Sequence, residues 1–195
     1  MNLNNRVAVV TGANKGIGLA CVNQLLEKGA IVYGICRSGC NIQHPNYQCL
    51  IADVRNHESL QTAFETVLNT HPHIDILINN AGAIALTNVE NTPLKKYDLI
   101  QSINHRAVFV CSQAALPYLK KSRNAHILSL SPPINLNPKW LTVFAPYTLS
   151  KYGMTLLSIG MAQEFKDYGI CVNTLWPETY IATAAVTNNI ANDEA

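Results

Sequence analysis

Tyr147 and Lys151 stand four residues apart in the stretch APYTLSKYGM, with Ser131 upstream at the head of SPPINLNPKW. A tyrosine can hand a proton to a developing alkoxide, but its ordinary pKa near 10 makes it a poor base at neutral pH. A cation nearby favours the phenolate and lowers that value. Residues i and i+4 of a helix share one face, so Lys151 is placed to tune Tyr147 electrostatically. The pair is a candidate general acid/base site. Its spacing alone is common, so the surrounding elements must decide.

A second chemistry-bearing stretch is TGANKGIG, residues 11–18, directly after the short apolar run Arg6–Val10. Gly12, Gly16 and Gly18 form a G-x-x-x-G-x-G pattern at a predicted strand-to-helix turn. Glycines there permit a tight turn and let the backbone approach a pyrophosphate at the positive end of the helix. In dinucleotide-binding units an acidic residue at the end of the second strand accepts the ribose hydroxyls of NAD. Here that position is Cys36, followed by Arg37. No carboxylate stands ready to repel a 2′-phosphate, and Lys15 and Arg37 can both meet one. The charge pattern predicts NADP(H) in preference to NAD(H).

The elements that must position these residues alternate along the chain. Strands are predicted at Arg6–Val10, Ile31–Cys36, Gln48–Ala52, Ile74–Asn79, His126–Ser131 and Ile170–Trp176. Helices are predicted at Gly16–Lys28, with Gly29 as its C-terminal cap, and at Asn56–Thr70 and Tyr147–Tyr168. Thr92-Pro93 reads as an N-cap with proline in the first turn, and a longer helix runs from about Asn104 to Lys121, kinked or ended by Pro117. Strands this apolar are expected to be covered on both faces, as in a parallel sheet. The expectation is a Rossmann-type doubly wound α/β domain, one domain over residues 1–195.

Composition excludes several classes. Charged residues are 13% of the chain, about half the usual share. The 21 asparagines supply much of the polarity, and the low charge fits a surface partly covered by another subunit. The net charge of +2 carries no long basic run, so neither nucleic acid nor an anionic membrane is an expected partner. No apolar run reaches the length of a transmembrane helix, and MNLNNRVAVV lacks a signal-peptide plan, so a cytoplasmic location is expected. The six cysteines form no Cys-x-x-Cys and read as buried thiols in apolar runs. His71-Pro-His73 reads as a loop, and no metal site is expected.

With these residues in place, the sequence resembles the short-chain dehydrogenase/reductase family over essentially its whole length. TGANKGIG, including Asn14, Lys15 and Ile17, is similar to the family's cofactor turn. Asp53-Val54 is similar to its adenine-side contact, and NNAG (Asn79, Asn80, Ala81, Gly82) to the motif ending its fourth strand. Asn104 matches its helical active-site asparagine, and Tyr147-x-x-x-Lys151 its catalytic pair. ILSLSPPINLNPKW, YTLSKYGM and LWPETYIATAA are most similar to a hydroxysteroid dehydrogenase-like subgroup, whose substrate is poorly defined.

The resemblance implies hydride transfer between a nicotinamide cofactor and a small-molecule carbonyl or alcohol. Tyr147 would be the general acid/base, and Lys151 would also hold the nicotinamide ribose. Ser131 would donate to the substrate oxygen, and Asn104 would hold a relay water. Pro177 and Thr179 would complete the nicotinamide side. Helices from Asn104 and from Tyr147 pair between subunits in the family, implying a homodimer.

There are departures. The family's serine position is taken by Ile134, and Ser131 is the structural match across a longer loop. Pro177-Glu178 replaces the family's Pro-Gly, and its later threonine falls at Ala182, beside Thr183. The family continues through a substrate-covering helix and a seventh strand, so a domain short at its C-terminus is expected. That shortness motivates an alternative reading, a non-catalytic NADP(H)-binding or regulatory protein.

Overall fold

Short β-branched runs and helical segments alternate, and the computed structural model turns each run into a strand. It describes residues 2–179 together with Ile181, Thr183 and Thr187. The strands are Val7–Thr11 (β1), Ile31–Cys36 (β2), Tyr47–Ile51 (β3), Ile76–Asn79 (β4), Ala125–Leu130 (β5) and Ile170–Leu175 (β6). The helices are Gly16–Glu27 (α1), His57–Thr70 (α2), Leu94–Gln101 (α3), Ala107–Leu119 (α4), Pro138–Leu141 (α5) and Ala145–Glu164 (α6). All strands are parallel, in the order β3-β2-β1-β4-β5-β6. The chain winds outward from β1 to β3, then returns and winds the other way from β4. The crevice at the C-terminal ends of β1 and β4 is therefore the switch point where such sheets bind ligands.

Two-residue alternation sorts the core. Val7 and Val9 point to one face with Ile35, Leu77 and Ile127, under α2, α4 and α6, which contribute Leu60, Phe64, Ala115 and Met154. Ala8 and Val10 point to the other with Val32 and Ile78, under Val22, Leu25 and Leu26 of α1. Ile35, Leu60, Leu77, Ile127 and Met154 are fully buried, each contributing about 1.5–3 kcal/mol through removal from water.

Several local expectations are corrected. Thr92 does not cap α3: Pro93, extended at φ −60 and ψ 140, holds that position. The Thr92 hydroxyl is instead used inside its own loop, on the Asn88 carbonyl and Thr87. Pro117 neither ends nor starts a new helix. It lies in the last turn of α4, where its missing N–H removes one bond that the two residues beyond it tolerate. Cover on both faces fails at β6, where Ile170 and Val172 are buried but Cys171, Asn173 and Leu175 are exposed. Buried thiols are found only at Cys36 and Cys111; Cys21, Cys40 and Cys49 are half-buried and Cys171 exposed. Edge strands explain this, since β3 and β6 carry Cys49 and Cys171.

Candidate active site

The turn between β1 and α1 is built by backbone conformations that side chains disfavour. Gly12 and Gly16 have φ of +66° and +56°. Gly18 sits so close to the turn that a Cβ there would lie 2.2 Å from the Gly12 carbonyl oxygen. Asn80 Nδ2 donates to the Thr11 and Gly12 carbonyls at 2.9 and 3.1 Å. The Thr11 hydroxyl accepts from the Asn80 and Ala81 amides and donates to the Ile78 carbonyl. The side chain of Asn80 thus shapes the turn, and Gly82 stands where a Cβ would meet Asn104 Oδ1 at 3.4 Å.

Lys15 caps α1 without a side-chain bond, and its first turn holds no acidic residue. The first amides are left to an anion. Ile17 packs beside them on the α1 face of the core. Asn14 Nδ2 donates to Ser38 Oγ at 3.0 Å, tying the turn to the segment after β2, where Arg37 is exposed. Asp53 is engaged by Arg55, whose Nη2 approaches to 2.5 Å. Hydrogen bonding from Arg55 holds the Asp53 carboxyl below its usual range, and Val54 is buried beneath it.

The candidate acid/base residues come from α6 and the π-helical turn Ser102–Arg106, a wider turn of the kind often found at functional sites. That turn buries Asn104 completely. Its Oδ1 accepts from the Ala83 amide at 2.8 Å, and its Nδ2 donates to the Ala83 carbonyl at 3.1 Å and to Ser150 Oγ at 2.7 Å. Ser150 in turn donates to the Tyr147 carbonyl at 2.7 Å. Asn104 is thereby fixed to the first turn of α6.

Ser131 follows β5 and is buried. Its hydroxyl lies 2.8 Å from Thr155 Oγ1, which also reaches the Pro132 carbonyl at 2.7 Å. Ser129 sits deeper on the same strand and accepts from Ser158 at 3.1 Å. Pro177 and Thr179 follow β6 and are exposed. Ala182 lies outside the described residues. The Thr183 methyl lies 3.3 Å from where a Gly16 Cβ would be.

The electrostatics differ from what the spacing suggested. Lys151 Nζ donates to the Leu130 carbonyl at 2.7 Å and contacts Met154 Sδ at 3.2 Å. Burial lowers its pKa to about 8. Burial also raises the Tyr147 hydroxyl above its ordinary value, so the lysine does not lower it here. The ammonium is satisfied by a backbone carbonyl, and a phenol in an apolar site keeps its proton. Ser150 and Thr155 were not found from the sequence. Their signal was present, one helical turn beyond Tyr147 and Lys151 respectively.

A model of the short chain dehydrogenase family matches residues 6–194. The chain belongs to that family. Hydroxysteroid dehydrogenase-like protein 2 of Bos taurus is 42% identical over 196 residues, covering 91% of this chain and 46% of that protein. The Homo sapiens protein of the same name is 42% identical over 193 residues, with the same coverage. The chain therefore spans less than half the length of these relatives. A solved short chain dehydrogenase from Mycobacterium thermoresistibile is similar with a TM-score of 0.87 at 39% identity, covering 100% of this chain and 75% of that one.

Short-chain dehydrogenases are oxidoreductases that use a nicotinamide cofactor, and the residues present fit one. The glycine turn is held open by Asn80, and Lys15 at the N-cap of α1 places no side-chain bond on the helix's first amides. Both features suit a pyrophosphate.

Proposed function

We propose that this protein is an NADP(H)-dependent oxidoreductase that interconverts a carbonyl and an alcohol, with Tyr147 as general acid/base. One arrangement carries this reading. Tyr147 and Lys151 lie on α6, Thr155 of the same helix anchors Ser131, and buried Asn104 bonds to that helix through Ser150.

A nicotinamide cofactor held by the glycine turn would supply the hydride chemistry at the substrate carbon. Tyr147, kept as the phenol by burial, gives its proton to the substrate oxygen in the reductive direction. Ser131 donates a hydrogen bond to the same oxygen as charge develops. Lys151, which donates to the Leu130 carbonyl, would hold the nicotinamide ribose. Asn104, locked by Ala83 and Ser150, keeps the turn that holds a relay water beside Lys151.

Gly12, Asn14, Lys15, Gly16, Ile17 and Gly18 would cradle the pyrophosphate. Lys15 and Arg37 would meet the 2′-phosphate, Asp53 and Val54 the adenine, and Asn80 to Gly82 with Pro177 and Thr179 the nicotinamide half. The reading includes one domain over residues 1–195, a cytoplasmic location and a homodimer. The dimer is supported by apolar residues left exposed on α4 and α6, Phe109, Leu149, Leu156 and Ile159.

The test is loss of NADPH absorbance across a panel of aldehydes and ketones. Tyr147→Phe is expected to lower turnover by about 10²–10⁴-fold, as for loss of a general acid, with NADPH affinity retained. Unchanged turnover in that variant, or NADPH binding with no carbonyl reduced, overturns the reading.

A further inference from the structure

Three of the six cysteines converge where β2 and β3 end. Cys36 closes β2, Cys40 follows in the loop, and Cys49 lies on β3, with Cys36 and Cys49 sulfurs 3.4 Å apart. The strands pair in register Gly34↔Cys49 and Cys36↔Ile51, so the two thiols meet diagonally on one face of the sheet. No described group of His, Cys, Asp and Glu could hold a metal ion, so the cluster is not a metal centre. Cys49 is half-buried on the sheet's edge strand, and alternation along β3 puts its thiol on the face of Tyr47, opposite Leu50. Cys36 is buried. Burial, helped by the contact with Cys49, pushes its thiol up to about 12, so it rests protonated.

The two thiols also adjoin the adenosine end of the proposed cofactor site. Arg37 and Ser38 follow Cys36 directly, and Ser38 accepts from Asn14 of the glycine turn.

We propose that Cys49 and Cys36 are a peroxide-sensitive pair whose disulfide displaces the Arg37–Ser38 corner and weakens NADPH binding. The Cys49 sulfur attacks a peroxide oxygen: an S–O bond forms, the O–O bond breaks, and water leaves from hydrogen peroxide. The Cys36 sulfur then attacks the sulfenic sulfur of Cys49, losing its proton, and the S–O bond breaks to release a second water. Two thiols are oxidised and one peroxide is reduced, with two waters formed. A disulfide needs a sulfur–sulfur distance of about 2.05 Å. The present 3.4 Å must therefore shorten by well over an ångström. That movement is shared between edge strand β3, which has a neighbour on one side only, and Cys36, which lies just past the last β1–β2 pair at Ile35 and leads straight into exposed Arg37 and Ser38. The effect on NADPH rests on the NADP(H) reading above; the oxidation site does not.

The test treats the full chain with hydrogen peroxide, maps disulfides by mass spectrometry, and measures NADPH and NADH binding by fluorescence before and after. A Cys36–Cys49 link is expected, with a roughly tenfold weaker NADPH affinity, the scale of one lost charge-assisted bond. NADH binding should change less, and Cys49→Ser should protect NADPH binding while Cys40→Ser should not. A disulfide through Cys40, or over-oxidised Cys49 without a link, overturns the site. A Cys36–Cys49 link that leaves NADPH affinity unchanged overturns the coupling. If the reduced protein fails to favour NADPH over NADH, the cofactor reading falls, and disulfide mapping alone still decides the pair.

Discussion

The two ends of this parallel sheet use their polar side chains in opposite ways. At the N-terminal end, buried Asp75 accepts from Ser122 Oγ at 2.6 Å, the Val7 amide at 2.8 Å and Arg6 Nη1 at 2.9 Å, with His73 Nε2 at 3.3 Å. These groups bond to one another and hold β1, β4 and the segment before β5 together. At the C-terminal end the groups are held but not used up. The N-cap Lys15 leaves the first amides of α1 without a bond from its side chain, and Lys151 rests on a carbonyl it can leave. Tyr147 bonds to none of the described residues through its hydroxyl. One end is closed on itself and the other is poised for a ligand, as strand C-termini at a switch point are expected to be. A polar residue's environment, more than its type, separates a structural role from a chemical one.

The sharpest break of this contrast is Asp75→Ala. It leaves the Val7 amide and Ser122 without their acceptor, and should destabilise the fold by about 2–4 kcal/mol. NADPH affinity at the other end should not change under conditions where the variant remains folded. Denaturant unfolding and fluorescence titration measure the two. Burial alone would raise the Asp75 carboxyl, but its bonds to Ser122, Val7 and Arg6 together hold it below 3.8. A depressed folded pKa gives stability that is present above 3.8 and is lost as pH falls through the folded value. Asp75→Asn should therefore flatten the acid limb of the stability curve. An Asp75→Ala variant as stable as the parent would remove the structural half of the comparison.

How much of this was legible in the sequence follows the same division. The strands and the glycine turn were readable because period-two apolar runs and the TGANKGIG spacing are local signals. Tyr147 and Lys151 were readable from their i, i+4 spacing. Their electrostatics were not, because the Leu130 carbonyl that satisfies Lys151 comes from another strand. Asp75 lies inside the predicted strand Ile74–Asn79, and its role does not show there because its partners Arg6 and Ser122 lie far along the chain. The contact between Cys36 and Cys49 was hidden for the same reason, since it depends on strand register. Exposure at β6 was missed because apolar composition does not say which face finds a cover. Local rules gave the elements, and long-range pairings set what the side chains do.

A second experiment sharpens the contrast at the open end. Lys151 has a pKa near 8 in the cofactor-free protein because burial disfavours its charge. An anionic cofactor favours the ammonium and raises that value, so NADPH affinity should fall as pH rises through about 8. Folding has the opposite sign. A lysine whose folded pKa lies below 10.5 opposes folding at low pH, and that penalty is relieved between about 8 and 10.5. Affinity and cofactor-free stability should therefore move in opposite directions over that range, and Lys151→Met should flatten both. Parallel movement of the two would show that Lys151 is not the titrating group.

The smallest expected effect tests whether an anchored residue can still be part of the open end. Thr155 Oγ1 has one proton and two neighbours, Ser131 Oγ at 2.8 Å and the Pro132 carbonyl at 2.7 Å. The carbonyl can only accept. When Thr155 serves it, Ser131 turns its own proton toward Thr155; when Thr155 serves Ser131, that proton is free for a substrate oxygen. Under the proposed mechanism, Thr155 is therefore a positioning residue for Ser131. Thr155→Val keeps the shape and removes the switch, so kcat for a reduced carbonyl should fall about three- to tenfold, the range of one hydrogen bond. NADPH affinity should hold, and Thr155→Ser should restore the rate. A Thr155→Ser variant as slow as Thr155→Val would mean that the methyl group's packing, not the hydroxyl, is what Ser131 depends on.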